Sequence, residues 1–304
     1  MFAAPPMVNA QVFAELPPAL RLTDRESGWA FGKGGSLHSF LEGPAFDRHG
    51  ALYVTDIPYG RIFKINQSGQ FELFTEYDGW PNGLAFHSDG RLFIADHLHG
   101  IMVCDPNTRQ VSPFLTRYQR EGFKGTNDLV FASNGDFYFT DQGQTGLQDP
   151  TGRVFRVRTN GRVDCLLKNI PSPNGLILTP DGKTLLLAVT RANQVWRLPL
   201  HPDGTTSKVS IFVQMSGGLA GPDGMAMDSQ GNFAVAHCGL GCVWLFSRLG
   251  EPLLRVNTDR GLSTTNVAFS MTQPNQLFIT ESDSGSILTV DLPYSGLPLF
   301  SHLN

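Results

Sequence analysis

Six short stretches of the chain each open with a polar residue at the same point of a repeated pattern. In each stretch that residue lies one or two positions before a run of small and apolar residues, as in residues 173–178, PNGLIL. The residues at this position are Glu42, Asn82, Asn127, Asn174, Asp223 and Thr265. Carboxylate and carboxamide oxygens are the ligands of hard divalent cations, Ca²⁺ first and Mg²⁺ or Mn²⁺ next. Residues with a carboxylate or carboxamide, which occupy five of the six positions, are poor strand formers, so their recurrence suggests chemistry rather than folding.

The spacing of these stretches predicts the elements that position them. The intervals are 40, 45, 47, 49 and 42 residues, which match the roughly 40–50 residues of a four-stranded propeller blade. Hydrophobic residues make up 41% and charged residues 16%, with 33 Gly and 20 Pro, a profile typical of many short strands joined by tight turns. We predict an all-β, six-bladed β-propeller with blades beginning near residues 42, 82, 127, 174, 223 and 265.

The two ends of the chain are predicted to meet. Residues 11–16 resemble the outermost strand of each blade, whereas the last repeat shows three strands before the Pro293 turn. We expect the N-terminal strand to complete the last blade and close the ring, which removes exposed strand edges. Residues 1–304 then form a single propeller domain, and the glycine-containing residues 23–40 form a loop before the first inner strand.

Antiparallel pairing determines which residues share a face. Each second strand ends on the side where its inner strand begins, and six inner strands begin around one axis. This placement predicts that Glu42, Asn127, Asn174 and Asp223 converge on the mouth of a central tunnel. Each Asn or Asp taken alone is equally explained as a turn former. Glu is no turn former, so the four residues together favour a metal site.

Further candidates lie on the same predicted face. His237 ends a second strand and is the alternative to Asp223 as a general base. The candidates for contacting a substrate are Asn82, Asn127, Lys124, Asp141, Arg191 and Asn193. The competing interpretation of these residues is structural: solvated loop side chains, strand-end caps, or a histidine in a pocket wall.

Composition restricts the partners. The net charge of −4 and pI near 6.0 provide no electrostatic surface for nucleic acid or an anionic membrane. The N-terminal residues lack the pattern of a signal peptide, and four cysteines do not make a disulfide framework. We expect a cytoplasmic protein, a monomer or weak homo-oligomer, that acts on a small molecule. No nucleophile elbow, phosphate-binding loop or zinc motif competes.

Five of the motifs resemble those of a known family. Residues 42–44 (EGP), 127–131 (NDLVF), 172–176 (SPNGL), 221–225 (GPDGM) and 265–269 (TNVAF) are similar to motifs of the SMP-30/gluconolactonase/luciferin-regenerating-enzyme-like family, which is related to diisopropylfluorophosphatase. The resemblance spans essentially residues 11–296. It implies a six-bladed propeller with one divalent ion in its tunnel.

The resemblance also implies roles for individual residues. Glu42, Asn174 and Asp223 match the metal ligands, and Asn127 matches a fourth ligand or a substrate contact. Animal members carry an Arg two residues before that Asn, where this chain has Gly125. The animal-type substrate specificity is therefore not transferred.

The leading hypothesis is a metal-dependent hydrolase that opens an aldonolactone or a related aliphatic lactone. The ion would polarise the carbonyl while water attacks, with Asp223 as ligand and general base. Ca²⁺ is favoured, and Mg²⁺, Mn²⁺, Zn²⁺ and Fe²⁺ are alternatives. Two other functions stay open: a metal-dependent phosphotriesterase, and a non-catalytic propeller that binds a partner on one face.

Overall fold

The computed structural model describes residues 4–29 and 37–303. In chain order the strands are β1 (Met7–Asn9), β2 (Gln11–Glu15), β3 (Leu41–Phe46), β4 (Leu52–Asp56), β5 (Arg61–Ile65), β6 (Phe71–Glu76), β7 (Pro81–Phe86), β8 (Leu92–Asp96), β9 (Gly100–Cys104), β10 (Val111–Leu115), β11 (Arg117–Tyr118), β12 (Glu121–Gly122), β13 (Thr126–Phe131), β14 (Phe137–Asp141), β15 (Gly152–Val157), β16 (Val163–Ile170), β17 (Pro173–Leu178), β18 (Thr184–Val189), β19 (Gln194–Pro199), β20 (Ser210–Gln214), β21 (Gly221–Met227), β22 (Phe233–Cys238), β23 (Cys242–Phe246), β24 (Pro252–Asn257), β25 (Thr264–Phe269), β26 (Gln276–Glu281) and β27 (Ser286–Asp291). Short 3-10 helices cover Pro18–Leu20, Ile57–Tyr59, Thr190–Ala192 and Phe300–His302.

These strands form six antiparallel blades. The sheet orders are β3-β4-β5-β6, β7-β8-β9-β10, β13-β14-β15-β16, β17-β18-β19-β20, β21-β22-β23-β24 and β25-β26-β27-β2. Each inner strand contacts the inner strand of the next blade, and β25 contacts β3. The six-bladed β-propeller is confirmed, and the inner strands begin within one or two residues of the predicted positions.

The blades are held together by apolar side chains between neighbouring sheets. Among the described residues, one buried cluster lies at each of the six blade interfaces. The second strands are buried on both faces, as in β18, where all six residues are buried. Both faces of a second strand must therefore be apolar, which explains its continuous hydrophobic run.

The N-terminal segment closes the ring as predicted. β2 pairs antiparallel with β27, and Ala14 and Leu16 join the apolar cluster between the first and last blades. A second contact was not predicted: β1 pairs in parallel with β24, so the fifth blade has five strands. The N-terminal segment therefore joins two blades.

Two further features concern the loops. Of the predicted loop 23–40, residues 30–36 lie outside the described residues, and the remainder contains no strand. The long connection after β10 forms a small hairpin of β11 and β12. In the part of the chain that the structure describes, no helix is both long and apolar enough to cross a membrane.

A bulge interrupts each inner strand at the position of the repeated polar residue. Pairing shifts between Glu42 and Ala45 in β3, and corresponding shifts occur in β7, β13, β17, β21 and β25. A bulge leaves residues unpaired and turns their side chains away from the regular alternation. The six bulges therefore let two successive residues of each inner strand approach the axis.

Candidate active site

Three carboxylates from alternate blades interact at the mouth of the ring. Burial raises the pKa of Glu42 well above its ordinary value, and the charges of Asp223 and Asp128 raise it further. Burial and the charge of Asp128 raise the pKa of Asp223 to about 8. Burial raises the pKa of Asp128 to about 7. Converging buried carboxylates of this kind need a counter-charge or a proton.

The amide of Asn266 partly satisfies these carboxylates. Its Nδ2 donates to Glu42 Oε2 at 2.8 Å and to Asp128 Oδ2 at 3.5 Å. Asn266 belongs to the sixth blade and Asp128 to the third, so this contact spans the axis. The backbone N–H of Gly43 also donates to Glu42 Oε2. Asn266 therefore lies where three blades meet.

Sequence reasoning missed Asp128 and Asn266, although the repeats carried a signal. The residue after the repeated polar position is glycine in four blades: Gly43, Gly83, Gly175 and Gly224. In the other two blades, which face each other, it is Asp128 or Asn266. A Cβ at Gly224 would overlap the Asn266 amide, and one at Gly83 would overlap the Asp128 carboxylate. Gly83 and Gly224 therefore leave the space that the two polar side chains fill.

The predicted ligands lie at equivalent positions of four inner strands. Glu42, Asn127, Asn174 and Asp223 are 3%, 6%, 5% and 8% exposed, and the Asn174 side chain hydrogen-bonds the Asp223 carboxylate. Asn82 occupies the same position in β7 and is also buried. Within residues 4–29 and 37–303, no three His, Cys, Asp or Glu side chains form a metal site by themselves. A metal here would need the carboxamide oxygens.

The end of β22 places cysteine, rather than histidine, beside this group. Cys238 is partly exposed and its thiol hydrogen-bonds Asp223. Successive strand residues point to opposite faces, so His237 points away from Asp223. Its Nδ1 accepts a hydrogen bond from Trp244 Nε1 at 3.2 Å.

This orientation does not fit the predicted role of His237 as an alternative base. His237 has no exposed surface, and burial lowers its pKa. A Cβ added at Gly218 would lie 2.9 Å from its Nε2, so the backbone of that loop covers the remaining nitrogen. His237 is therefore buried against this loop rather than exposed to a water at the mouth.

Asp141 is occupied in anchoring a loop. It has no exposed surface; its Oδ1 accepts from the backbone N–H groups of Lys124 and Gly125 at 2.7 and 2.9 Å. Its Oδ2 accepts from Arg153 Nε at 2.8 Å. This arrangement leaves no free oxygen for a substrate, and it matches the strand-end cap that was the competing interpretation.

The other substrate-contact candidates divide by position. Arg191 is exposed, and its charge lowers the pKa of Asp223, which places it near the mouth. Asn193 ends the 3-10 helix in a left-handed conformation, and its Nδ2 donates to Gly217 O at 2.9 Å. Lys124 is exposed and its Nζ donates to Thr151 Oγ1. Of these three, only Arg191 interacts with the carboxylate group.

An imidazole fills the space beside Gly125. The Gly125 φ is +148°, and a Cβ there would overlap the ring of His97. The His97 and Trp80 rings pack with centroids 6.0 Å apart. Burial lowers the pKa of His97, so this wall of the mouth is a neutral aromatic surface. An arginine at position 125 would have to displace it.

The fold and the mouth define a six-bladed β-propeller with a buried cluster of carboxylates and carboxamides on its axis. Residues 40–283 match the family described as SMP-30/Gluconolactonase/LRE-like region. The chain belongs to this family, and the resemblance read from its motifs is confirmed.

Individual relatives cover most of the chain. Lactonase drp35 of Staphylococcus aureus (strain MW2) is 34% identical over 263 residues, which are 80% of this chain and 78% of the relative. Lactonase drp35 of Staphylococcus epidermidis is 33% identical over 259 residues, with 80% and 78% coverage.

Solved structures share the fold at lower identity. A gluconolactonase of Xanthomonas campestris has a TM-score of 0.75 and 23% identity, covering 95% of this chain and 99% of its own. Regucalcin of Agrobacterium tumefaciens, a calcium-binding protein, has a TM-score of 0.76 and 22% identity, covering 98% and 99%.

Proposed function

We propose that this protein is a divalent-metal-dependent hydrolase that opens a lactone ring. The observation that carries the proposal is the convergence of Glu42, Asp128 and Asp223 at the mouth of the ring. In the described parts of the chain, no lysine or arginine forms an ion pair with them. Buried carboxylates left without such partners fit a bound cation.

The donor set indicates which residues would hold the ion. Glu42 and Asp223 supply carboxylate oxygens, and Asn127 and Asn174 supply carboxamide oxygens, an all-oxygen set suited to Ca²⁺ and then Mg²⁺ or Mn²⁺. Asp128 adds a third negative charge beside them. A divalent ion bound here would polarise the ester carbonyl and stabilise the charge that develops on its oxygen.

The protein's own residues supply the remaining requirements. Asp223 is held by Asn174 and Cys238, so its carboxylate has a defined direction and can accept the proton of an attacking water. Arg191 at the rim is positioned to attract the carboxylate that ring opening releases. Asn82 and Asn127 provide carboxamides that can hydrogen-bond the substrate oxygens.

The relatives support this class of reaction. The curated relatives of 33–34% identity are lactonases, and one structural neighbour is a gluconolactonase. The neutral wall of His97 beside Gly125 differs from the arginine of animal members, so we propose a lactone that needs no cationic contact at this point. The polar axis argues against a purely non-catalytic propeller.

The test is hydrolysis of a panel of aldonolactones and aliphatic lactones by chelator-treated protein, with each divalent ion added back singly and acid release recorded. We expect one ion to restore turnover, and Asp223→Asn to lower kcat by at least about 10³-fold while circular dichroism stays unchanged. The exposed Asp259→Asn is the matched control and keeps full activity.

The other outcomes decide between the alternatives. Turnover of a phosphotriester but of no lactone would replace this reaction with phosphotriester hydrolysis at the same ion. Absence of ion binding and of all turnover would make the polar axis structural. Near-normal turnover by Asp223→Asn would remove the proposed base.

A further inference from the structure

Three leucines form an exposed apolar surface on the rim of the mouth. Leu219 is 83% exposed and Leu262 is 51% exposed, and Leu240 between them is half-buried. We call these three residues the leucine rim. Single exposed leucines are common on protein surfaces, but three leucines brought together beside a candidate site are placed to contact a ligand.

Backbone hydrogen bonds place the three residues together. Leu240 lies in the turn between β22 and β23, and Leu219 N donates to Gly239 O at 3.1 Å. Gly239 N and Gly241 N donate to Leu262 O at 2.8 and 3.1 Å. Three segments of chain are thus joined at one turn. Main-chain hydrogen bonds therefore hold the leucine rim in place.

The leucine rim is continuous with the carboxylate group. The same turn begins at Cys238, whose thiol hydrogen-bonds Asp223. Gly221, two residues after Leu219, pairs with Cys238 across the sheet. A ligand whose reacting group lies at Asp223 and whose substituent extends outward over this turn therefore meets leucine side chains.

We infer that the substrate carries an alkyl chain that lies on the leucine rim, so that the enzyme acts on alkyl-substituted lactones. This inference rests on the proposed lactone hydrolysis and names its substrate class. A polyhydroxylated sugar lactone extended in this direction would lose water contacts against leucine without gaining hydrogen bonds. An alkyl chain gains instead by leaving water.

The first experiment measures kcat/KM for γ-butyrolactone, γ-hexalactone, γ-octalactone and γ-decalactone. Each fully buried methylene raises kcat/KM roughly fourfold, so each half-covered methylene should raise it about twofold. We expect this slope in the wild type and a flat series in the Leu219→Ser, Leu262→Ser double variant. Leu249→Ser is the matched control, since Leu249 is 67% exposed in the turn between β23 and β24, on the opposite face.

The second experiment separates binding from turnover. The 2-alkylcyclopentanones present a ring carbonyl and an alkyl chain but cannot be hydrolysed, and calorimetry gives their affinities. A chain-length slope that the double variant loses supports the leucine rim, even where no lactone is hydrolysed and the proposed function falls. A flat wild-type series, or a slope that the double variant retains, overturns the inference.

Discussion

Replacing Asn266 by aspartate tests whether one amide holds the carboxylate group together. The substitution keeps the size and shape of a side chain that is 5% exposed, so it creates no cavity. It exchanges the Nδ2 donor, which lies 2.8 Å from Glu42 Oε2 and 3.5 Å from Asp128 Oδ2, for an acceptor. When Glu42 and Asp128 are ionised, both contacts change from attractive to repulsive.

The expected cost follows from these two contacts. At a pH high enough to ionise these carboxylates in metal-free protein, a hydrogen bond to a charged group contributes about 1.5–3 kcal/mol, and the added like charge brings the total to about 3 kcal/mol. With an unfolding entropy of roughly 2 cal/mol/K per residue over 304 residues, this corresponds to a fall in Tm of about 5 °C. A divalent ion should restore more stability to Asn266→Asp than to the wild type.

The assay is urea unfolding with chelator and with added Ca²⁺. Asn107→Asp is the control, because Asn107 is exposed and the substitution makes the same change in net charge. The cross-axis role of this amide would be refuted if the free energy of unfolding of Asn266→Asp in chelator were within about 0.5 kcal/mol of the wild-type value and its response to Ca²⁺ were unchanged.

Two further predictions concern the same group. In metal-free protein the raised pKa values of Asp223 (about 8) and Asp128 (about 7) make protonation stabilising, so this stability is complete near pH 4 and is lost as pH rises through 7–8. The Tm increase on adding Ca²⁺ should therefore be larger at pH 8.5 than at pH 6.5, and equal increases would contradict the arrangement. Cys238→Ser keeps a donor to Asp223 whereas Cys238→Ala removes it, so the alanine variant should lose about 3- to 10-fold in kcat with little change in KM, and the serine variant should lose less. Cys242→Ala, at a fully buried position outside the mouth, serves as the comparison, and equal kcat for the two Cys238 variants would contradict a positioning role.

The repeat predicted the blades because each copy must build the same four strands. Turn residues and apolar runs recur with the blade, so their spacing determines the inner strands to within one or two residues. The closing strand β2 could be predicted for the same reason, since the last repeat showed only three of the four strands of a blade. The β1 pairing with β24 left no such signal, because a three-residue edge strand has no repeat to be compared with.

The sequence predicted which position of each inner strand lies at the axis, but not which neighbouring side chains point toward it. The bulge in each inner strand turns two successive residues toward the axis, which is why Asp128 and Asn266 take part and were missed. Residue chemistry alone favoured His237 over Cys238 as a site residue. Because strand residues alternate between faces, however, it is Cys238 that lies beside Asp223. Pairing register, rather than residue type, decides such cases.

The closure of the ring has a consequence for the order of folding. Glu15 in β2 pairs with Ser286 in β27, so β2 is synthesised well before the strand that it pairs with. The loop that this contact closes includes all the intervening blades, and its entropy cost is met last. Until β27 is made, β2 has no partner, and its unpaired backbone can pair with other chains. A nascent chain stalled before the sixth blade is therefore the form of this protein most exposed to aggregation.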